Sequence, residues 1–230
     1  MKYSAVIPAG GTSSRFGTEN KLFQNLNGKP VFIHAVLPFR KFTDDKNIVI
    51  PVHKDHYNRL NELLEEYLPG NRIQTVYGGR DRTRSVLNAL EAISPDCDLT
   101  AVHDAARPLI REKTIRAVYA AAEIHSAAAA ARPVTSTLKA VDENGFLSSG
   151  DLRREKIYEI ETPQTFRRTL LLTALRKAVE NDLSFTDDAA AVEACYGLKT
   201  YPVNPEEINL KITNFSDIEL VEAIIKSRSE

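Results

Sequence analysis

The sequence has no tryptophan, one methionine and two cysteines in 230 residues. Cys97 and Cys195 cannot build a disulfide framework, and neither sits in a Cys-x-x-Cys pair or a Cys/His cluster, so a disulfide scaffold and a zinc ribbon are excluded. They read as small apolar residues of a chain kept in a reducing compartment. An excess of one charge is also missing: 30 Lys and Arg stand against 31 Asp and Glu, a formal net charge of −1. No global field draws the chain to nucleic acid or to a membrane surface, and any anion site must be built locally. No apolar run approaches the roughly 20 residues of a spanning helix. The opening Met1-Lys2-Tyr3-Ser4-Ala5-Val6-Ile7-Pro8 meets its proline too early for the apolar core of a secretory signal. The expectation is a soluble, cytoplasmic protein with neither a nucleic-acid nor a membrane partner.

What remains is ordinary globular composition, 43% hydrophobic and 27% charged. Short branched runs alternate with longer helical patterns. Tyr3–Ile7, Asn47–Val52, Arg72–Tyr77 and Asp98–Val102 read as strands bounded by turn formers. Pro30–Phe42, Asp55–Tyr67, Arg82–Ile93 and Glu112–His125 read as helices; Leu60, Leu63, Leu64 and Tyr67, for example, share one stripe. Strand–helix–strand repetition implies an α/β fold with a parallel, doubly wound sheet. The alanine run Ala127–Ala131 reads as a buried strand because Pro133 closes it and Val134 follows. The rhythm then breaks. Ser136–Val141 and Ile157–Ile160 are expected to be strands flanking the Asn144-Gly145 hairpin signal, an insert that projects from the sheet over about 136–160. Helices resume over Phe166–Glu180 and near Asp187–Cys195, a strand is expected at Asn209–Ile212, and a last helix at Ser216–Lys226, capped by Ser216 or Asn214. One domain over 1–230 with a projecting arm is the economical reading.

Chemistry-bearing residues gather where expected strands end. The first strand runs into Pro8-Ala9-Gly10-Gly11-Thr12-Ser13-Ser14-Arg15-Phe16-Gly17. A glycine- and serine-rich turn there lets backbone N–H groups approach phosphate oxygens. Neither a Walker loop nor a Gly-x-Gly-x-x-Gly fingerprint is present. Arg15 and Lys21 follow instead, and two cations beside a backbone nest suit a triphosphate whose α-phosphate gains charge on attack. The third strand ends in Gly78-Gly79-Arg80-Asp81-Arg82-Thr83-Arg84-Ser85, where glycine allows close approach of a base or sugar and Ser85 offers a hydroxyl. The fourth ends in His103-Asp104-Ala105-Ala106-Arg107-Pro108. Ligands of open α/β sheets sit beyond the carboxyl ends of strands, so Asp104 is placed to hold Mg²⁺ through oxygen or to orient a substrate hydroxyl. His103 reads as a packed neighbour. A distal group comprises Thr137, Lys139, Arg153, Arg154, Thr162-Pro163-Gln164, Thr186-Asp187-Asp188 and Asn209-Leu210-Lys211. The absence of Gly-x-Ser-x-Gly and His-Glu-x-x-His removes support for acyl transfer and zinc hydrolysis.

Taken in order, these motifs resemble the 2-C-methyl-D-erythritol 4-phosphate cytidylyltransferases of the non-mevalonate isoprenoid pathway. The likeness runs almost end to end, from Pro8-Ala9-Gly10-Gly11 with Arg15 and Lys21, through Gly78-Gly79 with Arg82 and Ser85-Val86, to His103-Asp104-Ala105-Ala106-Arg107-Pro108. It continues through Pro133-Val134 with Thr137 and Lys139, Thr162-Pro163-Gln164-Thr165-Phe166, Thr186-Asp187 and Asn209-Leu210-Lys211-Ile212-Thr213. The resemblance implies a Rossmann-like nucleotidyltransferase with a mostly parallel sheet and a β-arm that crosses into the partner of a homodimer. It implies transfer of a cytidylyl group from CTP, with Mg²⁺, to a polyol phosphate. Arg15 and Lys21 would stabilise the pentacoordinate α-phosphorus, and Arg154 with Lys211 would position the methylerythritol phosphate. Asp104, Arg107 and Thr137 would help hold that substrate, while Pro8, Ala9, Gly10, Gly11, Gly79, Ser85 and Ala105 would receive the nucleotide. Ser13, Asn20-Lys21-Leu22, Arg80 and Ser136 stand where the family usually carries glycine, Pro-Lys-Gln, an acid and Asp. The two alternatives are a ribitol-5-phosphate cytidylyltransferase, whose motif usually reads His-Asp-Ser-Val-Arg where this chain has Ala105-Ala106, and a catalytically silent nucleotide-binding dimer.

Overall fold

The computed structural model describes residues 1–10, 20–148 and 153–228. In chain order the strands are β1 (Tyr3–Val6), β2 (Asn25–Leu26), β3 (Lys29–Pro30), β4 (Ile48–Val52), β5 (Gln74–Tyr77), β6 (Leu99–Val102), β7 (Ala127–Pro133), β8 (Ala140–Val141), β9 (Leu147–Ser148), β10 (Tyr158–Arg167) and β11 (Tyr201–Val203). The α-helices are α1 (Val31–Val36), α2 (Tyr57–Tyr67), α3 (Arg82–Ala92), α4 (Glu112–His125), α5 (Arg168–Glu180), α6 (Asp188–Tyr196) and α7 (Phe215–Ser227). Among the described residues one seven-stranded sheet forms, in the order β11-β7-β10-β6-β1-β4-β5. β10 runs antiparallel to both neighbours, and every other pairing in that sheet is parallel. The mostly parallel α/β sheet expected from the sequence is the one observed.

Alternation along the strands divides the core into two layers. Ala5 and Ile7 of the first strand segment, Ile48, Ile50 and Val52 of β4, and Ala128 and Ala130 of β7 face one apolar cluster with helices α1, α2, α4 and α7. Val6, Val49, Val102 and Ala127 face the other, with α3, α5 and α6. Burial on both faces is why these runs are continuously apolar. It also explains how alanine, a helix former by propensity, makes a strand in β7: a helix there would withdraw the methyls from both layers.

Several expectations are corrected. Pro38 has no N–H to continue an α ladder, so α1 stops at Val36 and a 3₁₀ turn, Leu37–Lys41, follows. In the arm, β8 pairs with β9 around Asp142–Phe146, while Ile157–Ile160 belongs mostly to β10 of the main sheet. The expected strand Ser136–Val141 shrinks to Ala140–Val141. Residues 149–152, between β9 and β10, lie outside the described residues; they include the first two positions of the charged tract 151–156 that the arm carries. β10 extends to Arg167, so α5 begins at Arg168 rather than Phe166.

The expected strand Asn209–Ile212 does not form, and the strand of that region is β11, which local pattern did not single out. Pro202 is tolerated because β11 is an edge strand. Asn209–Ile212 instead spends its hydrogen bonds on neighbouring loops: Ile212 N–H donates to Ala106 O at 2.8 Å, and Arg107 donates to Asn209 O at 2.8 Å. Asn214, not Ser216, caps α7, sharing a capping box with Asp217.

Candidate active site

The carboxyl ends of β1, β5 and β6 open onto a cavity of about 370 Å³. Its walls include Pro8 and Gly10 after β1, Gly79 between β5 and α3, Arg82 and Ser85 in the first turn of α3, Asp104 and Ala105 after β6, and Lys21 and Lys211. That volume lies in the usual range for a small-molecule site. Of the candidates named from sequence, Pro8, Gly10, Lys21, Gly79, Ser85, Asp104, Ala105 and Lys211 therefore share one wall-to-wall space. Ala9 lies behind it, buried, its N–H given to Pro51 O at 2.9 Å. Gly11 and Arg15 lie outside the described residues. Arg154 and Thr137 are exposed on the arm and do not line the cavity; Arg154 Nη1 donates to Thr135 O at 3.1 Å.

Local chemistry fixes each wall. Asp81 caps α3 by accepting the Arg84 N–H at 2.9 Å. Ser85 Oγ donates to Asp81 O at 2.7 Å and accepts the Gly79 N–H at 3.0 Å, tying the glycine loop to the first turn of the helix. The Ser85 proton is thus committed within the loop, so toward a ligand this hydroxyl could only accept. A Cβ at Gly79 would overlap Arg84 Cβ, so only glycine fits there. Arg80, at the cavity edge and largely exposed, and Arg84, mostly buried, both pair with Asp182.

After β6 the chain forms a closed hydrogen-bond ring. His103 Nε2 donates to Arg107 O at 3.1 Å, Thr162 Oγ1 donates to His103 Nδ1 at 3.0 Å, and the Asp104 N–H donates to Thr162 Oγ1 at 3.1 Å. Burial lowers the His103 imidazole to about 4, so it stays neutral and in the single tautomer that this ring requires. Thr162 reaches the ring because β10 shifts register between Ile160 and Gln164, and bulges of this kind re-aim side chains beside sites.

Asp104 is the electrostatic centre. Lys211 Nζ lies 2.8 Å from its Oδ2, Arg107 Nε 3.8 Å from the same oxygen, and Arg82 Nη2 3.9 Å from Oδ1. Burial opposes ionisation of Asp104, but the charges of Lys211, Arg82 and Arg107 outweigh it and lower the carboxyl to about 2. Lys211 is aimed by its own segment: Asn209 Nδ2 donates to Glu161 Oε2 at 2.9 Å and to Thr162 O at 2.8 Å. Glu161, 4% exposed, is in turn paired with Arg132.

Sequence reasoning did not single out Glu161 or Arg132 as parts of the site, and it named Asp188 only within the distal Thr186-Asp187-Asp188 stretch. Glu161 and Arg132 carry no motif, and Asp188 reads locally as a helix-opening acid. Only the strand pairing of β10 with β7 brings Arg132 and Glu161 together. Among the described residues no group of three or more His, Cys, Asp or Glu side chains converges to hold a metal. Among the described residues only Asp104 and Asp81 are acids of the cavity wall, and Asp81 is spent on the α3 cap and Arg84; so sparse a donor set suits an ion shared with substrate phosphates rather than a protein cage.

Comparison with known proteins agrees with this geometry. The family model described as 2-C-methyl-D-erythritol 4-phosphate cytidylyltransferase (IspD) matches residues 3–227. The protein of that name from Caldanaerobacter subterraneus is 34% identical over 228 residues, covering 98% of this chain and 100% of the relative. One from Solibacter usitatus is 34% identical over 239 residues, covering 100% and 98%. Among solved structures, a 4-diphosphocytidyl-2C-methyl-D-erythritol synthase from Anaerococcus prevotii is similar at a TM-score of 0.82 and 26% identity, covering 98% of each chain. A 2-C-methyl-D-erythritol 4-phosphate cytidylyltransferase from Thermus thermophilus is similar at 0.78 and 29%, covering 98% of this chain and 100% of the other. The family model, the relatives and the solved neighbours coincide over nearly the whole length, and this chain belongs to the 2-C-methyl-D-erythritol 4-phosphate cytidylyltransferase family.

Proposed function

We propose that the chain transfers the cytidylyl group of CTP to 2-C-methyl-D-erythritol 4-phosphate, giving 4-CDP-2-C-methyl-D-erythritol and pyrophosphate. The observation that carries this is the convergence of Lys21, Lys211 and Arg82 with Asp104 around one cavity floored by the Pro8–Gly10 turn and Gly79. A cavity walled by cations and close-approach backbone suits a triphosphate beside a second phosphate.

In this reading a phosphate oxygen of the polyol attacks the α-phosphorus in line, the new P–O bond forms as the bond to pyrophosphate breaks, and pyrophosphate leaves with the electron pair. The attacking phosphate is already ionised, so no general base is required. The protein's work is positioning and neutralisation of the charge that develops on the α-phosphate oxygens. Arg15 and Lys21 supply that neutralisation. Pro8, Ala9, Gly10, Gly11, Gly79, Ser85 and Ala105 receive the nucleotide. Lys211 and Arg154 position the polyol phosphate, with Asp104, Arg107 and Thr137 helping to hold it. Mg²⁺, held by Asp104 together with the nucleotide's phosphates, would supply further neutralisation of the triphosphate when bound.

The whole chain, 1–230, is read as one nucleotidyltransferase domain with its arm over about 136–160, working in the cytoplasm as a homodimer. No described helix is long and apolar enough to cross a membrane. Val141, Phe146 and Leu147 on the arm are 65%, 71% and 75% exposed, apolar surface that a second copy would cover. The test is direct: incubate the protein with CTP, Mg²⁺ and the methylerythritol phosphate, and measure pyrophosphate. Ribitol 5-phosphate as the preferred acceptor would overturn the substrate assignment, and CTP binding without release of pyrophosphate would overturn the enzyme assignment.

A further inference from the structure

Behind the cavity one guanidinium nitrogen stands between two carboxylates. Arg82 Nη2 is 2.7 Å from Asp188 Oδ2 and 3.9 Å from Asp104 Oδ1. Asp188 is 1% exposed at the first turn of α6, and Gln164 Oε1 accepts the N–H groups of Asp188 and Ala189 at 3.0 and 3.1 Å. The buried acid is therefore fixed, and it fixes Arg82, which still lines the cavity. Burial lowers the tendency of Arg82 to stay charged, but the facing carboxylates of Asp188 and Asp104 more than restore it.

Lys211 has two claims on its one ammonium. Here it is bound to Asp104, yet the reading above also assigns it to the substrate phosphate. If Lys211 turns to a phosphate, Asp104, whose side chain is only 15% exposed, loses its one hydrogen-bonded cation. Until a divalent ion reaches it, a nearly buried carboxylate without a partner is costly. Two cations stand near it. Arg107 Nη1 is committed to Asn209 O, while its Nε, buried without a hydrogen-bond partner among the described residues, lies 3.8 Å from the oxygen that Lys211 would vacate and is the competitor the test must exclude. Arg82 faces the other oxygen, and a guanidinium with five donors can serve two carboxylates at once.

We propose that Arg82, anchored by Asp188, is a positioning residue that takes over Asp104 when Lys211 turns to the substrate phosphate. The exchange keeps Asp104 charged and oriented while freeing Lys211. It rests on the cytidylyl-transfer reading only for the identity of the phosphate.

Two experiments separate the claims. The first is a crystal structure of Lys211→Ala grown in EDTA without ligand. Arg82 Nη2 should close from 3.9 Å onto Asp104 Oδ1, to the roughly 2.8 Å of a charge-assisted bond. Arg82 left in place, or Arg107 closing instead, overturns the proposal whatever the protein catalyses. The second is kinetic and uses the pair variant Arg82→Gln with Asp188→Asn, which replaces the ion pair by an amide pair and strands no buried charge. Its KM for the methylerythritol phosphate should rise about tenfold with KM for CTP within about twofold, and in a Lys211→Ala background the same pair should add less than about twofold. Arg82→Lys alone should keep part of the wild-type KM. Effects that multiply in the double background overturn the handover. A wild-type protein that releases no pyrophosphate sinks the cytidylyl-transfer reading, and the crystal structure still decides Arg82.

Discussion

The ammonium of Lys21 donates to the backbone carbonyl of Ile212 at 2.9 Å across 191 residues of sequence. The contact joins the turn after the first strand to the segment that aims Lys211, so the cations proposed for the two phosphates share one scaffold. Removing Lys21 should be felt in the chemical step, because its charge matters most when negative charge grows on the α-phosphate. Lys21→Ala is expected to lower kcat by about 10²–10³ with KM for CTP changed only a few-fold. Steady-state kinetics of pyrophosphate release check it. Near-normal kcat with a raised KM for CTP would show a role in ground-state binding alone.

Two glycines separate steric need from ligand contact. A Cβ on Gly79 overlaps Arg84 Cβ and lies 3.0 Å from the Arg84 carbonyl carbon, backbone that cannot step aside. Among the described residues, a Cβ on Gly10 meets nothing nearer than Ser85 Oγ at 3.9 Å. Gly79→Ala should therefore distort the loop and raise KM for CTP about tenfold or more, with partial loss of stability. Gly10→Ala should leave the thermal midpoint unchanged, so any rise in its KM reports contact with the nucleotide itself. A destabilised Gly10→Ala would contradict the open space seen there.

The half of this site proposed to meet the phosphates was legible from sequence because its residues lie where strands stop. Pro8, Gly10, Gly79, Ser85, Asp104 and Ala105 all follow β-rich runs whose ends local pattern locates. The supporting half was not legible. Asn209 looked like the start of a strand, yet its side chain and backbone are consumed by Glu161, Thr162 and Arg107. β10 runs against its neighbours and changes register midway, and nothing in the short segment Ile157–Ile160 announced either feature. Tertiary partners decided those segments, and single-sequence periodicity cannot name a partner. The helix start at Asp187 was legible because its cap is local: the carboxylate accepts the Ala190 N–H at 2.8 Å.

His103 makes acid sensitivity a measurable property of the ring it closes. An unfolded chain protonates its histidines below about 6.5, whereas burial holds folded His103 neutral until about 4. Between those values the unfolded state binds more protons, so stability falls as pH falls through the window and levels off below it. His103→Gln keeps a donor for Arg107 O and an acceptor for Thr162 while removing the titration. Its urea midpoint, taken without divalent metal, should depend less on pH than that of the wild type, by up to roughly 3 kcal/mol across the window. Parallel pH profiles for the two proteins would show that folding leaves the titration of His103 unchanged, and would overturn its burial as a neutral ring.

The arm carries the last prediction. Arg154 sits on a short 3₁₀ turn away from the cavity, its guanidinium resting on Thr135 O. The β8–β9 ribbon has two residues per strand, and an isolated two-stranded ribbon is marginal in water. Its exposed Val141, Phe146 and Leu147 need a cover, and a two-fold partner supplies the same arm in return. If the arm crosses the dimer, Arg154 of one protomer completes the polyol-phosphate site of its partner, where its planar fork suits phosphate bidentately. Arg154→Ala should then raise KM for the methylerythritol phosphate and leave CTP binding nearly unchanged. Mixing Arg154→Ala protomers with Lys21→Ala protomers and allowing exchange should restore activity, because one of the two shared sites in each heterodimer carries both wild-type residues. No recovery in samples that mass spectrometry shows to be heterodimeric would place Arg154 within its own protomer's site or outside catalysis altogether.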